Sequence, residues 1–110
     1  MSTQQREYQA PAVSNVTNGQ MPFETLKEKG VEALIPVYDF MAIGDEVSLK
    51  FMTDPPGDPD FTGGSRVTSV APFLLKAHRS QIVEDARTLR VWYTVLDKGS
   101  SESVHIELTR

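Results

Sequence analysis

The residues best suited to bind a ligand lie in an acidic, proline-stiffened stretch at residues 54–64. It carries Asp54, Asp58 and Asp60 among three prolines, followed by the apolar side chain of Phe61. Ca²⁺ takes six to eight oxygen ligands, so an oxygen-rich loop is the kind of segment that can bind it. The EF-hand spacing of acidic residues is absent, and a solvated surface loop accounts for the same composition. We therefore predict no metal site and take Asp58, Asp60 and Phe61 as candidate ligand-binding residues, with Phe61 as an anchor for a partner.

A second group of residues has the side-chain types of nucleophilic catalysis. His78 and Ser80 lie two positions apart, and Asp85 follows. A Ser-His-Asp site is defined by geometry, however, and proximity in sequence does not indicate one. The Gly-x-Ser-x-Gly turn that presents a serine nucleophile is also absent. These residues predict no catalytic site.

The sequence also gives little support for metal-dependent or carboxylate-based catalysis. The chain has no cysteine, and its two histidines, His78 and His105, lack the spacing of zinc ligands. The remaining enzymatic alternative is a carboxylate pair across strands, such as Asp39 with Asp45 or Glu46. We predict a protein that is not an enzyme and needs no cofactor.

The only tryptophan, Trp92, raises a question that the sequence leaves open. Alternation places it on the outer face of its strand, where Arg90 could stack on it and where an exposed ring could bind a sugar. The opposite argument is that a small domain usually buries its largest aromatic side chain in the core. A one-residue slip in register would produce that arrangement and turn Tyr93 outward. We favour burial of Trp92.

The composition limits the remaining possibilities. The chain has 110 residues, which predicts one domain, and a net charge of −4, which argues against a nucleic-acid partner. No apolar run approaches the length of a membrane span, so no membrane partner is expected. Residues 1–7 are polar and predict a disordered tail before a domain at residues 8–110. The absence of an apolar signal region predicts a cytoplasmic protein, with export by a signal-independent route as the alternative.

Strict alternation of apolar and polar residues dominates the sequence and indicates half-buried strands. It is clearest at residues 46–53, 89–96 and 103–109, with the last two joined as a hairpin by a turn at residues 97–101. Residues expected to point inward include Val47, Leu49, Phe51, Leu89, Val91, Tyr93, Val95, Val104, Ile106 and Leu108.

Other segments give weaker signals. A short helix at residues 22–30, ended by Gly30, is predicted to connect two early strands. We predict four further strands. Two lie at residues 8–16, with Pro11 at an edge, and at 31–38, with Val37 pointing inward. The other two lie at residues 66–70, after a turn at Gly63–Gly64, and at the start of residues 72–82. Turn signals every 8 to 15 residues and the absence of long helices then favour an all-β sandwich of about seven short antiparallel strands.

Several of these segments match a known pattern. Residues 10–13 look like an opening strand that contains a proline, and Ile35-Pro36-Val37-Tyr38, Met41 and Gly44-Asp45 look like a characteristic turn. Together with residues 47–51 and 93–95 and the serine near residue 103, they resemble an immunoglobulin-like repeat module of large surface or adhesin-like proteins in Pseudomonas and related bacteria. In those modules a Trp usually stands where this chain has Phe51. The resemblance implies an immunoglobulin-like sandwich with a structural, adhesive or interaction role and no catalysis. In such sandwiches a tyrosine of the penultimate strand often bonds the backbone of the preceding corner, and Tyr93 is the residue in that position.

Two functions are therefore expected from the sequence. The first is a non-enzymatic interaction or structural module that binds a protein partner, or a second copy of itself, through a sheet edge or through the loops at one end of the sandwich. The alternative is a small carbohydrate- or Ca²⁺-dependent binding module. Its site would lie in the acidic loop with Phe61, or at Trp92 if that ring is exposed.

Overall fold

A computed structural model describes residues 6–54, 63–77 and 84–110 of the chain. Its elements are β1 (Arg6–Tyr8), β2 (Ala12–Val13), β3 (Gln20–Pro22), α1 (Phe23–Lys29), β4 (Val31–Ile35), β5 (Glu46–Asp54), β6 (Gly63–Arg66), β7 (Phe73–Ala77), β8 (Thr88–Val95), β9 (Gly99–Ser101) and β10 (Val104–Thr109). The protein is mostly β, with two sheets packed as a sandwich, which confirms the coarse fold prediction. β1 begins at Arg6, within the segment that the sequence assigns to a tail.

The large sheet is organised around an eight-residue antiparallel pairing of β5 with β8. The other edge of β5 pairs with β6. The other edge of β8 pairs first with β10 and then, further along the strand, with β9. The outer positions are taken by β1, parallel to β9, and β3, parallel to β10. The prediction of a purely antiparallel sandwich is therefore wrong at these two pairings, where two strands from early in the chain join β9 and β10 in the same direction.

The predicted final hairpin is present but contains a bulge. Thr94 pairs with Ser100, whereas Val91 pairs with Val104, so four steps along the last segment oppose three steps along β8. One extra residue is therefore accommodated between β9 and β10. The buried hydroxyl of Ser101 lies at this point and accepts a hydrogen bond from the Tyr93 N–H at 3.0 Å. Part of the predicted turn at residues 97–101 thus forms β9.

The small sheet has the order β2-β4-β7 and is antiparallel throughout. The predicted first strand is divided in two, with β1 in the large sheet and β2 in the small one, on either side of Pro11. β4 ends at Ile35 because the following Pro36 has no N–H to donate to a neighbouring strand. Val37 was expected to point inward but lies beyond this end and is exposed.

The helix α1 agrees with the sequence prediction. It begins after Pro22 and ends at Gly30, whose N–H donates to the carbonyl of Leu26 at 2.9 Å. Gly30 has φ of +71°, a conformation that a residue with a Cβ adopts only at a cost. Phe23 and Leu26 are buried, so this short helix packs one face on the core. Among the described residues no helix is long and apolar enough to cross a membrane.

The core between the two sheets contains the inward residues that alternation predicted. Val47, Leu49 and Phe51 of β5 are buried against the other sheet, and so is every second residue of β8. The strand predicted at residues 66–70 is instead β6, which includes the Gly63–Gly64 pair expected to form a turn. Gly63 pairs with Leu49 and Gly64 with Ser48, so the two glycines extend the edge of the large sheet.

Tyr93 is fully buried, as predicted, but it does not form the expected corner. Its hydroxyl donates to the carbonyl of Gln9 at 2.9 Å, so it ties the end of β1 to the centre of the sheet instead of bonding the turn before β8. The ring stacks on Tyr8, with centroids 6.5 Å apart, and lies near Tyr38. Burial is the main cause that raises the pKa of Tyr93 to about 12.

Candidate binding surface

Three connections meet at one end of the sandwich. Residues 36–45 join β4 to β5, residues 67–72 join β6 to β7, and residues 96–98 join β8 to β9. We call these residues the loop end. They meet because Glu46 at the start of β5 pairs with Arg66 at the end of β6, and Val47 pairs with Val95 at the end of β8.

Backbone hydrogen bonds fix the three connections to one another. The N–H of Gly44 donates to the carbonyl of Val67 at 2.8 Å, and the N–H of Val67 donates back to Asp45 at 2.9 Å. The N–H of Leu96 donates to the carbonyl of Glu46 at 2.9 Å. Gly44 has φ of +97°, a backbone conformation that favours glycine. The loop end is therefore a joined surface rather than three separate loops.

This surface carries an unusual share of the exposed apolar side chains. Eight large apolar residues are exposed in the described part of the chain, and only Met52 lies away from this end. Five belong to the loop end, and the other two form the facing pair Leu34 and Leu74 on the adjacent outer face of the small sheet. The five are Val37, Phe40, Ile43, Val70 and Leu96. A concentration of exposed apolar side chains of this kind often marks a site of interaction.

An ionic cluster under the surface holds the longest of the three connections in place. One carboxylate oxygen of Asp45 accepts hydrogen bonds from the Tyr38 hydroxyl at 2.6 Å, the Ala42 N–H at 3.0 Å and the Lys98 ammonium at 2.9 Å. The same ammonium donates to the carbonyl of Phe40 at 2.7 Å. Lys98 thus joins the turn after β8 to the β4–β5 connection.

The pKa shifts agree with this arrangement. The hydrogen bond from Tyr38 is the main cause that lowers the pKa of Asp45, and the contacts of Lys98 and the Ala42 N–H act in the same direction. Burial is the main cause that raises the pKa of Tyr38, and its hydrogen bond to Asp45 adds to the effect. Asp45 is therefore an ionised anchor across the physiological pH range, and Tyr38 stays protonated as its donor.

Phe40 stands out at this surface because of its backbone as well as its exposure. Its side chain is 70% exposed and that of Ile43 is 72% exposed, although both are apolar. Phe40 also has φ of +62°, in the left-handed region that bulky residues rarely occupy. Residues held in this region cluster at functional sites, where the surrounding structure maintains them. The contact of Lys98 with the Phe40 carbonyl is one such restraint.

The candidate residues from the sequence are only partly covered by the structure. Asp58, Asp60 and Phe61 lie outside the described residues, as do His78 and Ser80. Within the described ranges, no group of three or more metal-ligating side chains is found.

The carboxylates considered as a catalytic pair all lie near the loop end. Asp45 is bound by Tyr38 and Lys98, and Glu46 forms an ion pair with Arg66 at 2.9 Å. Asp39 is exposed. Asp45 and Glu46 thus each have a cationic partner within the chain.

The structure decides the orientation of Trp92. Its neighbours Val91 and Tyr93 are fully buried, and Trp92 itself is half-buried on the outer face of the large sheet. The guanidinium of Arg90 lies 4.6 Å from the centre of its ring. The expectation that Trp92 belongs to the core was therefore wrong, because Tyr93 and Phe51 already supply the large aromatic side chains there.

The sequence predicted a turn at residues 39–45 but not the apolar surface of the loop end. A signal was present, since Phe40 and Ile43 stand within the turn sequence of residues 39–45, where polar residues are usual.

A scan against protein-family models, a search of curated proteins and a search of solved structures each find no match to this chain.

Proposed function

We propose that this protein is a non-enzymatic, immunoglobulin-like interaction module that binds a protein partner through its loop end. The observation that carries the proposal is the concentration of exposed apolar side chains on one joined surface, with Phe40 and Ile43 most exposed. Burial of such a side chain contributes about 1.5–3 kcal/mol, so a few of them supply most of a useful affinity.

The rigidity of the surface supports the same function. The Asp45 cluster holds the β4–β5 connection in one conformation before any partner arrives. A surface ordered in advance loses less conformational entropy on binding than a loose loop does. The immunoglobulin-like classification itself comes from the sequence resemblance, and the two packed sheets are compatible with it.

A binding role accounts for these residues better than catalysis does. Asp45 and Glu46 are bound to Tyr38, Lys98 and Arg66, and five exposed apolar side chains lie on the same end of the sandwich. We keep the prediction that the protein is not an enzyme as part of this proposal. The predicted cytoplasmic location stays a prediction of the sequence.

The partner is a second protein or a second copy of this chain. β7 supports the second possibility, since within the described residues it pairs only with β4 and leaves one edge for another strand. Exposed Leu74 lies on the same strand and faces Leu34. The Ca²⁺-dependent alternative would use the acidic stretch, of which residues 55–62 lie outside the described residues.

Photocrosslinking in the source organism tests the proposal. Benzoylphenylalanine is placed at Phe40, and in a matched control at Met52, which is exposed on the large sheet away from the loop end. We expect a discrete adduct from position 40, identified by mass spectrometry, and a much weaker one from position 52. The adduct at position 40 should fall at least fivefold when Ile43→Ser is added to the same chain.

The mass of the adduct distinguishes the two kinds of partner. A product of two 12.2-kDa chains supports self-association, and any other discrete product supports a different protein. Equal, diffuse labelling from positions 40 and 52 would overturn the proposal. So would an adduct at position 40 that is unchanged by Ile43→Ser.

A further inference from the structure

We propose that the outer face of the large sheet binds an acidic sugar, with the cationic groups of Lys50 and Arg90 holding its carboxylate or sulfate beside Trp92. This site lies on strands β5, β8 and β10. It does not depend on the function proposed for the loop end.

The strand register brings these side chains together. Lys50 of β5 faces Trp92 of β8, and one step along the same face Met52 faces Arg90. His105 of β10 lies on the other side of Arg90. Facing residues on neighbouring strands have Cβ atoms about 5 Å apart, so this group spans a distance comparable to one or two sugar rings.

The two cations are not neutralised by the part of the chain that the structure describes. Its ion pairs use other cations: Lys27, Arg66, Lys76 and Lys98. No hydrogen bond or ion pair involves the Lys50 ammonium or the Arg90 guanidinium there. The acidic residues Asp54 and Glu107 lie on this face one row further along, where both pair with Thr88. Two cations without a described ion pair therefore lie together on a chain whose net charge is −4.

The contact of Arg90 with Trp92 leaves the guanidinium able to bind an oxyanion. Its central carbon lies over the indole, 4.6 Å from the ring centre. Within the described residues none of its N–H donors is used in a hydrogen bond, so they can bind a planar carboxylate in a bidentate manner. The exposed parts of Trp92 and Met52 offer an apolar surface to the C–H face of a sugar ring.

A short acidic sugar fits this face better than a nucleic acid does. Proteins that bind single-stranded nucleic acid combine a long cationic groove with several aromatic side chains that stack on successive bases. Among the described residues of this face Trp92 is the one large aromatic side chain, and Asp54 and Glu107 lie one row beyond Arg90. A long polyanion would meet these carboxylates, whereas a short sugar would not.

Fluorescence provides a direct test, because Trp92 is the only tryptophan in the chain. The full-length protein is titrated with trigalacturonate, with a sulfated heparin-derived disaccharide, with the neutral galactotriose and with oligo-thymidylate. We expect a saturable change in emission with at least one acidic sugar, weakened severalfold by added salt. The two acidic probes distinguish a carboxylate from a sulfate. Galactotriose should give no saturable change.

Variants locate the site. Arg90→Gln and Lys50→Gln should each weaken binding about tenfold, with Arg90→Lys in between, because lysine keeps the charge but loses the flat fork of donors. Lys29→Gln removes an exposed cation of α1 that forms no described ion pair, and it should leave binding unchanged. The Phe40 and Ile43 variants should also bind normally, which separates this site from the loop end.

Three results would overturn the proposal. The first is no saturable change with either acidic sugar. The second is an equal response to galactotriose or a tighter response to oligo-thymidylate. The third is a loss of affinity in Lys29→Gln as large as that in Arg90→Gln.

Discussion

In the β5–β8 pair, every second residue is buried between the sheets, whereas at the loop end Phe40 and Ile43 extend into solvent although they are just as apolar. The backbone differs in the same way. The strands pair in continuous register, while Phe40 adopts a left-handed conformation next to a carbonyl held by Lys98. Apolar residues thus stabilise the fold in the first region, and in the second they form a surface that the fold must hold in place. Substitutions in the two regions should therefore have different consequences.

The largest effect is expected in the strand pair. Phe51→Ala should lower the free energy of unfolding by about 3–5 kcal/mol, because a fully buried ring leaves a cavity that the two sheets cannot close. Met52→Ala is the matched control on the opposite face of the same strand, and it should cost less than about 1 kcal/mol. Chemical denaturation measures both. Similar losses in the two variants would contradict the assignment of the inner face.

A smaller effect is expected in the cluster that supports the loop end. Asp45→Asn should lower the free energy of unfolding by about 1–3 kcal/mol, because charged hydrogen bonds to Tyr38 and Lys98 are lost. Hydrogen exchange should also become faster at residues 41–45 and stay unchanged in β8. Asp85→Asn, at an exposed turn, serves as the control and should change neither quantity. If Asp45→Asn behaves like this control, the cluster does not hold the connection.

The same cluster predicts a pH dependence with a definite sign. The pKa of Asp45 is lowered in the folded protein from its ordinary value of 3.8, so ionised Asp45 stabilises the fold above that value. This contribution is lost as the pH falls through the lower, folded pKa. The stability gap between the wild type and Asp45→Asn should therefore be constant between pH 6 and 8 and shrink below about pH 4. Denaturation curves at several pH values measure this, and a gap that widens in acid would contradict it.

The smallest expected effect on stability is at the left-handed backbone of Phe40, and its sign is unusual. Glycine is normally less stabilising than alanine, but at φ of +62° the order should reverse. Phe40→Gly should be about 1 kcal/mol more stable than Phe40→Ala. The same pair of substitutions at Met52, in an extended strand, should show the usual order. Thermal or chemical denaturation of the four variants measures the order of glycine and alanine at each position.

Much of the fold follows from local pattern in the sequence. The inner faces of β5, β8 and β10, the helix α1 and its end at Gly30 all agree with prediction, because alternation and capping depend on neighbouring residues. The strand that includes Gly63 and Gly64 could not be predicted, since a glycine pair signals a turn unless a neighbouring strand is present to bind it. The exposed side of Trp92 was correctly given by alternation and wrongly by the argument from size.

The sequence by itself determined which residues of β5, β8 and β10 face inward, because a period of two is a property of the extended chain. Only the tertiary structure decided that both early strands β1 and β3 join the last segment in parallel, since strand pairing depends on residues far apart in the chain. It also decided that three connections meet at one end and leave Phe40 and Ile43 exposed together. No local pattern contains that information, because the surface exists only where β5, β6 and β8 have already paired.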